Sequence, residues 1–248
     1  MKDFSVTVLI GATSESTALK KTVKSIVETC DREDIEKIII VKSKTATKAC
    51  NEAIADLEKS YPRLVEGYEQ NRPYMGGGIR DGADITTSSH FLVFPGDLAI
   101  GLESVPKMIE MEKQMPWGIV KASRWLLPGS FHDYPPVRKF FNKTAQCFLR
   151  ILFHTRLTDM TIPVQVMPTA LYRKIQWREV GFPFATEFVL CPLKLGIPFE
   201  EVPAACYQRT EGHSSNSGIQ TAMYLKTALR IRFTKPEKLL KQTERKNK

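Results

Sequence analysis

Short apolar runs alternate along the first half of the chain with longer segments whose apolar residues recur at helical spacing. The first pair joins a β-rich run at 5–10 to an amphipathic segment at 16–29. Two further pairs are a predicted strand at 37–41 with a helix at 47–57, and a strand at 90–94 with a helix at 102–111. This alternation predicts an α/β fold with a mostly parallel central sheet flanked by helices.

The predicted strands are apolar without the alternation of a half-exposed sheet, so we expect both sheet faces to be covered. In such sheets ligands bind at the carboxyl ends of the strands. The second half is less regular, with a Pro-rich loop at 128–136, an amphipathic segment at 137–153 and mixed strand and helix patterns to residue 208. A chain of 248 residues with 42% hydrophobic content can bury one large core, so one domain is expected.

Composition narrows the class of protein. Five scattered cysteines, an odd number without a C-x-x-C pair, predict neither a disulfide framework nor a zinc site and favour a reducing cytosol. We also expect no signal peptide, because the first residues lead directly into a strand, and no spanning helix, because no run approaches about 18 consecutive apolar residues.

A net charge of +9 predicts an anionic partner. Nucleic acid is disfavoured because no recognition motif is present and aromatics do not interleave with the basic tail. The C-terminal cations fit either a solvated tail or a surface-binding segment; they are Lys226, Arg230, Arg232, Lys235, Lys238, Lys241, Arg245, Lys246 and Lys248.

Two segments carry candidate chemistry. Asp97 follows the strand at 90–94, where a carboxylate either forms a turn or holds a divalent cation that neutralises a diphosphate. Upstream, 72–82 joins glycines to basic residues before a short helix. Gly76 and Gly77 there predict either a flexible turn or a close backbone approach to an anion at a helix N-terminus.

With these segments in place, the chain resembles glycosyltransferase family 2, and within it the dolichol-phosphate mannosyltransferase-like enzymes. The resemblance spans about residues 5 to 215. Glu15 matches the acid of the family's first loop, Arg72 to Gly82 its glycine-rich stretch, and Asp97 the second acid of its Asp-x-Asp loop. The later matches are Ala122-Ser123-Arg124, Arg138 to Asn142, Asp159 to Thr161, Phe184 to Pro203 around Glu187, and Arg209 to Ser214.

The resemblance implies a single GT-A, nucleotide-diphospho-sugar transferase domain over residues 1–216 with a basic amphipathic extension at 217–248. It implies an inverting transfer of a sugar from a nucleotide-sugar donor. The implied donor-binding residues are Glu15, Lys42, Arg72, Gly76, Gly77, Arg80, Asp97, Arg124, Arg209 and Ser214. The implied catalytic residues are Asp97, Glu187, Asp159 and Arg209, and the implied acceptor-binding residues are Arg138 and Asn142.

The chain departs from the family at its charged loops. Pro95 stands in place of the first acid of the metal loop, and Lys42 and Lys44 lie where the family has acids that read the nucleotide. Asp97 with Mg²⁺ or Mn²⁺ is one expectation. The other is that cations take over phosphate binding; they are Lys42, Lys44, Arg72, Arg80 and Arg209.

The acceptor implied by the resemblance is a polyprenyl phosphate or a related lipid-linked glycan. A phosphate arrives ionised and needs no strong base, whereas a hydroxyl acceptor needs a carboxylate. Glu187 is the first candidate for that base and Asp159 the second, and either can instead be structural. The segments at 137–153 and 219–233 are amphipathic with cations at their edges, so they predict an anionic membrane surface, although the first also fits a core helix.

The sequence therefore predicts a cytoplasmic glycosyltransferase that is peripheral on the inner face of the cell membrane. Two alternatives stay open. One is a transferase that extends a cell-surface glycan on a sugar hydroxyl, and the other is a catalytically silent relative that binds a nucleotide-sugar.

Overall fold

The computed structural model describes residues 4–132, 134–209, 211 and 218–242, with the side chains of 218–221 left aside. The strands are β1 Val6–Ala12, β2 Ile35–Lys42, β3 Val65–Glu69, β4 His90–Pro95, β5 Ile119–Ser123, β6 Gln165–Pro168 and β7 Phe199–Pro203. The helices are α1 Thr17–Thr29, α2 Lys48–Ser60, α3 Tyr74–Ile85, α4 Ser104–Gln114, α5 Pro136–Phe153, α6 Thr169–Lys174, α7 Phe184–Lys194 and α8 Gly218–Phe233, followed by a 3₁₀ turn at Pro236–Leu239.

The seven strands form one sheet in the order β3-β2-β1-β4-β6-β5-β7. All neighbouring strands pair in parallel except β6, which is antiparallel to both β4 and β5. The carboxyl ends of β1, β2, β3, β4, β5 and β7 therefore lie along one edge of the sheet. The predicted α/β fold with a mostly parallel sheet flanked by helices is confirmed.

Both faces of the sheet are buried, as the apolar strands predict. Val8 and Ile10 of β1 belong to one hydrophobic cluster, and Leu9 between them belongs to a second one. The first cluster includes residues of α1, α2 and α4, and the second includes residues of α3, α7 and α8. Because successive strand residues point to opposite faces, a continuous apolar run is what a doubly covered strand requires.

Helical spacing located α1, α2, α4 and α5 to within a few residues, but the glycine-rich stretch differs from its expected form. Gly76, Gly77 and Gly78 lie inside α3 rather than in a loop before a helix. A Cβ on Gly76 would meet the Cβ of Phe184 at 2.4 Å, and a Cβ on Gly77 would meet Arg72 at 2.8 Å. Gly76 lets α3 approach the chain around α7, and Gly77 leaves room for Arg72 just before α3.

The described part of 217–248 packs onto the same core. Ala228 and Ile231 of α8 and Leu239 after it are buried in the second cluster. The backbone N–H of Gln176 donates to the Leu239 carbonyl at 2.7 Å, and that of Lys241 donates to Lys174 at 2.8 Å. Part of the basic extension is thus a structural layer over α7.

A buried acid lies at the opposite edge of the sheet from the strand carboxyl ends. Glu112 of α4 is fully buried, and one of its carboxyl oxygens accepts from the Val120 N–H at 2.9 Å. The other oxygen lies 3.6 Å from His90 Nε2, which is itself 2.9 Å from the Pro116 carbonyl oxygen. Burial raises the pKa of Glu112 from 4.5 to about 9.

We expect Glu112→Gln to stabilise the protein, and to do so more as the pH rises. Between the unfolded pKa of 4.5 and the folded pKa of about 9, the folded state holds a proton that the unfolded state has released. The wild-type free energy of unfolding therefore falls with pH in this window, by about 1.4 kcal/mol per pH unit from this group. Glutamine keeps the acceptor for Val120 and removes the titration.

Urea unfolding at pH 5 and pH 8 measures this difference. The control is Glu110→Gln, which removes an exposed glutamate from the same helix and leaves the pH slope as it is. An equal pH slope in the wild type and Glu112→Gln would show that Glu112 is ionised when folded.

Candidate active site at the carboxyl edge of the sheet

Two loops meet at the carboxyl ends of β1 and β4. Gly96 follows β4, and a Cβ there would lie 3.2 Å from the Gly11 carbonyl oxygen of β1. Asp97 comes next, and its Oδ1 accepts from the Ala99 N–H at 3.0 Å. The close approach that Gly96 allows places Asp97 beside the first loop, and the charge of Glu15 in that loop acts on its carboxyl group.

Asp97 is paired with Arg209. The Arg209 Nε lies 2.8 Å from Asp97 Oδ2, in a contact between a nearly buried carboxylate and a guanidinium that is 41% exposed. Burial raises the pKa of the Asp97 carboxyl, and the charge of Arg209 opposes that rise. Asp97 and Arg209, more than 100 positions apart in the chain, are thus brought into contact.

The segment that carries Arg209 is held by backbone hydrogen bonds just before that residue. Tyr207 N–H donates to the Ala99 carbonyl at 3.0 Å, and Cys206 accepts from His132 N–H at 2.8 Å. We call residues 206–209 the return segment. Beyond it, the Glu211 carboxylate accepts from the N–H groups of Ser16 and Thr17 at the N-terminus of α1, at 2.6 and 3.2 Å.

The remaining residues of this edge are Glu15 and Lys42. Glu15 accepts from the backbone N–H groups of Thr13 and Ser14 at 2.7 and 2.9 Å, which orders the loop after β1. Lys42 ends β2, and its Nζ lies 3.1 Å from Asn51 Oδ1. The charges of Glu15, Lys42 and Glu211 all act on the Cys50 thiol in the first turn of α2.

The basic residues of the glycine-rich stretch are engaged with the protein. Arg72 Nη1 lies 2.5 Å from Asp81 Oδ1 and 2.8 Å from Asp84 Oδ2. Arg80 donates to the Glu179 carbonyl at 3.2 Å, and the Gly77 N–H donates to Val180 at 2.8 Å. Gly76 and Gly77 are buried against protein, so packing rather than anion binding accounts for the glycines of α3.

Arg124 and Asp159 form a buried ion pair behind the site. Arg124 Nε and Nη2 donate to the two carboxylate oxygens of Asp159 at 2.6 and 3.0 Å. Burial alone would raise the pKa of Asp159, but the charge and hydrogen bonds of Arg124 outweigh it and hold the pKa below its ordinary value. Gln146 of α5 donates to the same carboxylate at 3.1 Å, and the buried Lys121 donates to the Asp159 carbonyl.

The Glu187 carboxylate is likewise occupied by hydrogen bonds and an ion pair within the protein. One carboxylate oxygen accepts from the N–H groups of Arg178 and Glu179 at 3.0 and 2.8 Å. The other lies 2.6 Å from Arg230 of α8, and Glu187 is fully buried. Neither candidate base, Glu187 or Asp159, presents a free carboxylate to the edge where Asp97 lies.

The two acceptor-binding candidates lie on α5. Arg138 is exposed, whereas Asn142 accepts from the Trp125 indole N–H at 3.1 Å. Since Trp125 follows β5 and its ring packs on Phe131 at 4.6 Å, α5 is linked to the loop that contacts the return segment. Ser214 lies outside the described residues.

Sequence reasoning missed three polar residues of this region. Lys121 and Gln146 are buried partners of Asp159, and Glu211 binds the N-terminus of α1. A lysine inside an apolar strand and a glutamine on the apolar side of an amphipathic helix were the available signals, because buried polar groups require partners. Nothing local to Glu211 indicated a contact about 195 positions away.

The side chains of this edge do not fit a divalent cation well. Among the described residues, no three His, Cys, Asp or Glu side chains gather as metal ligands. Asp97 Oδ1 accepts from a backbone N–H and Oδ2 faces Arg209, so a cation at Asp97 would lie against a guanidinium. Mg²⁺ and Mn²⁺ prefer sets of oxygen ligands that include free carboxylate oxygens.

The sheet order, the covering helices and the edge that carries Asp97 together have the GT-A architecture of nucleotide-diphospho-sugar transferases. No protein-family model matches the chain. Solved structures of glucosyl-3-phosphoglycerate synthase from Mycobacterium tuberculosis share the fold. The complex with Mn²⁺, UDP and phosphoglyceric acid superposes with a TM-score of 0.70 at 12% identity, over 94% of this chain and 80% of that one.

A second complex of that synthase, with Mn²⁺, UDP-glucose and phosphoglyceric acid, gives a TM-score of 0.69 at 13% identity over 93% and 80% of the two chains. A third, with Mg²⁺ and UDP, gives 0.67 at 14% over 92% and 79%. At these identities the likeness establishes the fold. It does not support the narrower resemblance to dolichol-phosphate mannosyltransferase-like enzymes.

We expect Asp159→Asn to destabilise the protein by about 3 to 5 kcal/mol, because it leaves the buried Arg124 cation without its counter-charge. The wild-type pair contributes stability above the ordinary pKa of an aspartate and loses it as the pH falls toward the lowered folded pKa. Because Asp159→Asn has no carboxyl group to titrate, the variant also lacks the part of the pH dependence of stability that comes from Asp159. Guanidinium unfolding at pH 7 and pH 3 measures both effects.

Asp56→Asn is the matched control, since it breaks an exposed pair with Lys20 and should leave the unfolding midpoint unchanged. A midpoint for Asp159→Asn equal to that of the control would contradict a structural role for the Arg124–Asp159 pair.

Proposed function

We propose that the protein is an inverting glycosyltransferase that moves a sugar from a nucleotide-sugar donor to a polyprenyl phosphate at an anionic membrane surface. The observation that carries the proposal is a contrast in the site. Both candidate bases, Glu187 and Asp159, are buried in ion pairs, whereas Lys42 and Arg209 at the edge are partly exposed cations, each beside one carboxylate. An ionised acceptor suits this arrangement better than a hydroxyl that must lose a proton.

The donor would lie across the carboxyl ends of β1, β2 and β4. Glu15 and Lys42 border the side where the nucleoside is expected, and Arg209 is placed to contact the diphosphate. Structures with this fold hold UDP or UDP-glucose, which supports a nucleotide-sugar donor for the class. Arg124 would act here as a positioning residue, because Asp159 occupies its guanidinium.

The acceptor would approach from α5. The N-terminal half of this helix exposes Phe140 and Phe141 by 67% and 64%, next to Arg138 and Lys143. Leu126 and Leu127 in the loop before it are also exposed. Aromatic and aliphatic side chains ringed by cations suit the interface of an anionic bilayer. No helix among the described residues has the length and apolar character needed to cross a membrane.

Contacts between side chains connect this surface to the donor edge. His132 stacks on Tyr207 of the return segment with centroids 4.9 Å apart, and Lys139 of α5 lies 4.9 Å from the centre of the Phe131 ring. A lipid phosphate that enters beside α5 would therefore arrive next to Arg209. Arg138 would guide it, and Asn142 would hold the helix on Trp125.

In the proposed reaction, an oxygen of the lipid phosphate attacks the anomeric carbon on the face opposite to the nucleotide. The new bond joins that carbon to the acceptor oxygen, and the bond to the nucleoside diphosphate breaks, so the configuration inverts. Arg209 and Lys42 stabilise the negative charge that develops on the departing diphosphate. The acceptor has no proton to lose, so the chemistry needs alignment and cations rather than a base.

We expect transfer of labelled sugar to polyprenyl phosphate in anionic vesicles, and we expect the double variant Phe140→Ser with Phe141→Ser to reduce it at least about tenfold. Withdrawal of two aromatic rings from the bilayer removes apolar burial that favours membrane binding. Co-sedimentation with vesicles should fall in parallel, whereas the thermal shift given by the donor should be unchanged.

The matched control is Trp117→Ser, which removes an aromatic ring of equal exposure, 67%, from the opposite edge of the sheet. Transfer to a soluble oligosaccharide without lipid would favour the glycan-extending alternative. Donor binding without transfer to either acceptor would identify a silent nucleotide-sugar-binding relative. Transfer to the soluble acceptor phosphoglyceric acid, which the structural neighbours hold, would also overturn the lipid acceptor.

A further inference from the structure

We infer that Arg209, anchored by Asp97, takes the charge-neutralising place of a divalent cation, so that the protein binds a nucleoside diphosphate without metal. The inference rests on the proposed function and concerns the same site. It assigns Asp97 the role of an anchor for a guanidinium rather than that of a metal ligand.

The first support is the donor set. Where two carboxylates would hold a divalent ion, the chain has Pro95 and Asp97. The single carboxylate is engaged at Oδ1 by the Ala99 N–H and at Oδ2 by Arg209 Nε. Two carboxylates with a divalent cation carry no net charge, and one carboxylate with one guanidinium carries none either. The exchange therefore preserves the charge of the edge.

The second support is that Arg209 is held in place. Backbone hydrogen bonds join the return segment to residues 99 and 132, and the Glu211 carboxylate fixes the chain beyond it on α1. The backbone N–H of Ser16 lowers the pKa of Glu211, and those of Ala18 and Thr17 add to the effect. A long, flexible side chain thus starts from a backbone that is anchored on both sides.

The third support is the geometry of the pair. Asp97 contacts the guanidinium at Nε, and the guanidinium carries further N–H donors on its two terminal nitrogens. Planar, paired N–H donors match the oxygens of a diphosphate. Arg209 is 41% exposed, so a ligand can reach it from the edge.

The test is isothermal titration of UDP, GDP, CDP and dTDP into the full-length protein, once with EDTA and once with Mn²⁺. We expect at least one nucleotide to bind with the same dissociation constant, within about twofold, under both conditions. Arg209→Ala should weaken that binding about 10- to 100-fold, the range for loss of hydrogen bonds to a charged group. Binding of the matching nucleoside, which has no phosphate, should not change.

Three further variants separate the effects of side-chain charge and side-chain geometry at this pair, and one of them is a control. Arg209→Lys keeps the charge without the fork and should fall between the wild type and Arg209→Ala. Asp97→Asn keeps the oxygen that accepts from the Ala99 N–H but places an uncharged amide group beside Arg209, and it should weaken binding only a few fold. The control is Lys59→Ala, which removes an exposed cation in the last turn of α2, at the far edge of the sheet.

The outcomes distinguish the inference from the proposed function. Nucleotide binding that requires Mn²⁺ and is abolished by Asp97→Asn would overturn the inference and leave a metal-dependent transferase. Absence of binding by all four nucleotides, with and without Mn²⁺, would overturn both. An equal affinity of Arg209→Ala and the wild type in EDTA would show that other cations hold the diphosphate.

Discussion

The buried pair between Arg124 and Asp159 joins the parts of the fold that surround the site. Arg124 follows β5, Asp159 lies in the chain before β6, and Gln146 reaches the same carboxylate from α5. Glu201 of β7 accepts from the Asp159 N–H at 3.1 Å, so the outer strand belongs to the same network. Two charges taken out of water are costly unless every donor and acceptor is satisfied, and here the network satisfies them.

This network explains why α5 stands where it does although little of it is buried. Gln146 and Leu149 are its buried residues, and its apolar outer face is exposed. A helix with so small a packed face owes its position to specific polar contacts, which orient it more narrowly than apolar packing would. The orientation in turn keeps Phe140 and Phe141 on the outside and Asn142 on the inside, near Trp125.

The sequence predicted the first half of the fold well because the relevant information is local. Continuous apolar strands and helical spacing are properties of a few adjacent residues, and they located β1, β2 and β4 with their helices. The antiparallel strand β6 and the short strand β3 carry no comparable pattern. The glycine stretch differs from its expected form partly because Gly76 packs against Phe184, more than 100 positions away.

The candidate site was predictable to the same extent. The resemblance selected Asp97 and Arg209, which contact each other, but it also selected Glu187 and Asp159 as possible bases. Their types and positions in the chain match acids of the family that the sequence resembles, and the structure holds both in buried ion pairs. Glu187 is held by Arg230, a residue of the C-terminal helix that motif spacing treats as an extension. Partners so distant in sequence cannot be inferred from one chain without its fold.

Two differences at this edge from the family that the sequence resembles are physically consistent with each other. Pro95 stands where that family has an acid of its metal loop, and Lys42 with Lys44 puts positive charge where it has acids. Each change makes the edge less suited to collect a divalent cation and more suited to attract a diphosphate directly. A divalent metal ion at a single position would still neutralise more negative charge than a guanidinium does. In the arrangement that we infer, Arg209 would compensate because Asp97 holds its guanidinium in place, and donors already oriented need little reorganisation when charge develops. Under the proposed function, the missing acid and the two lysines would together change how the leaving group is stabilised.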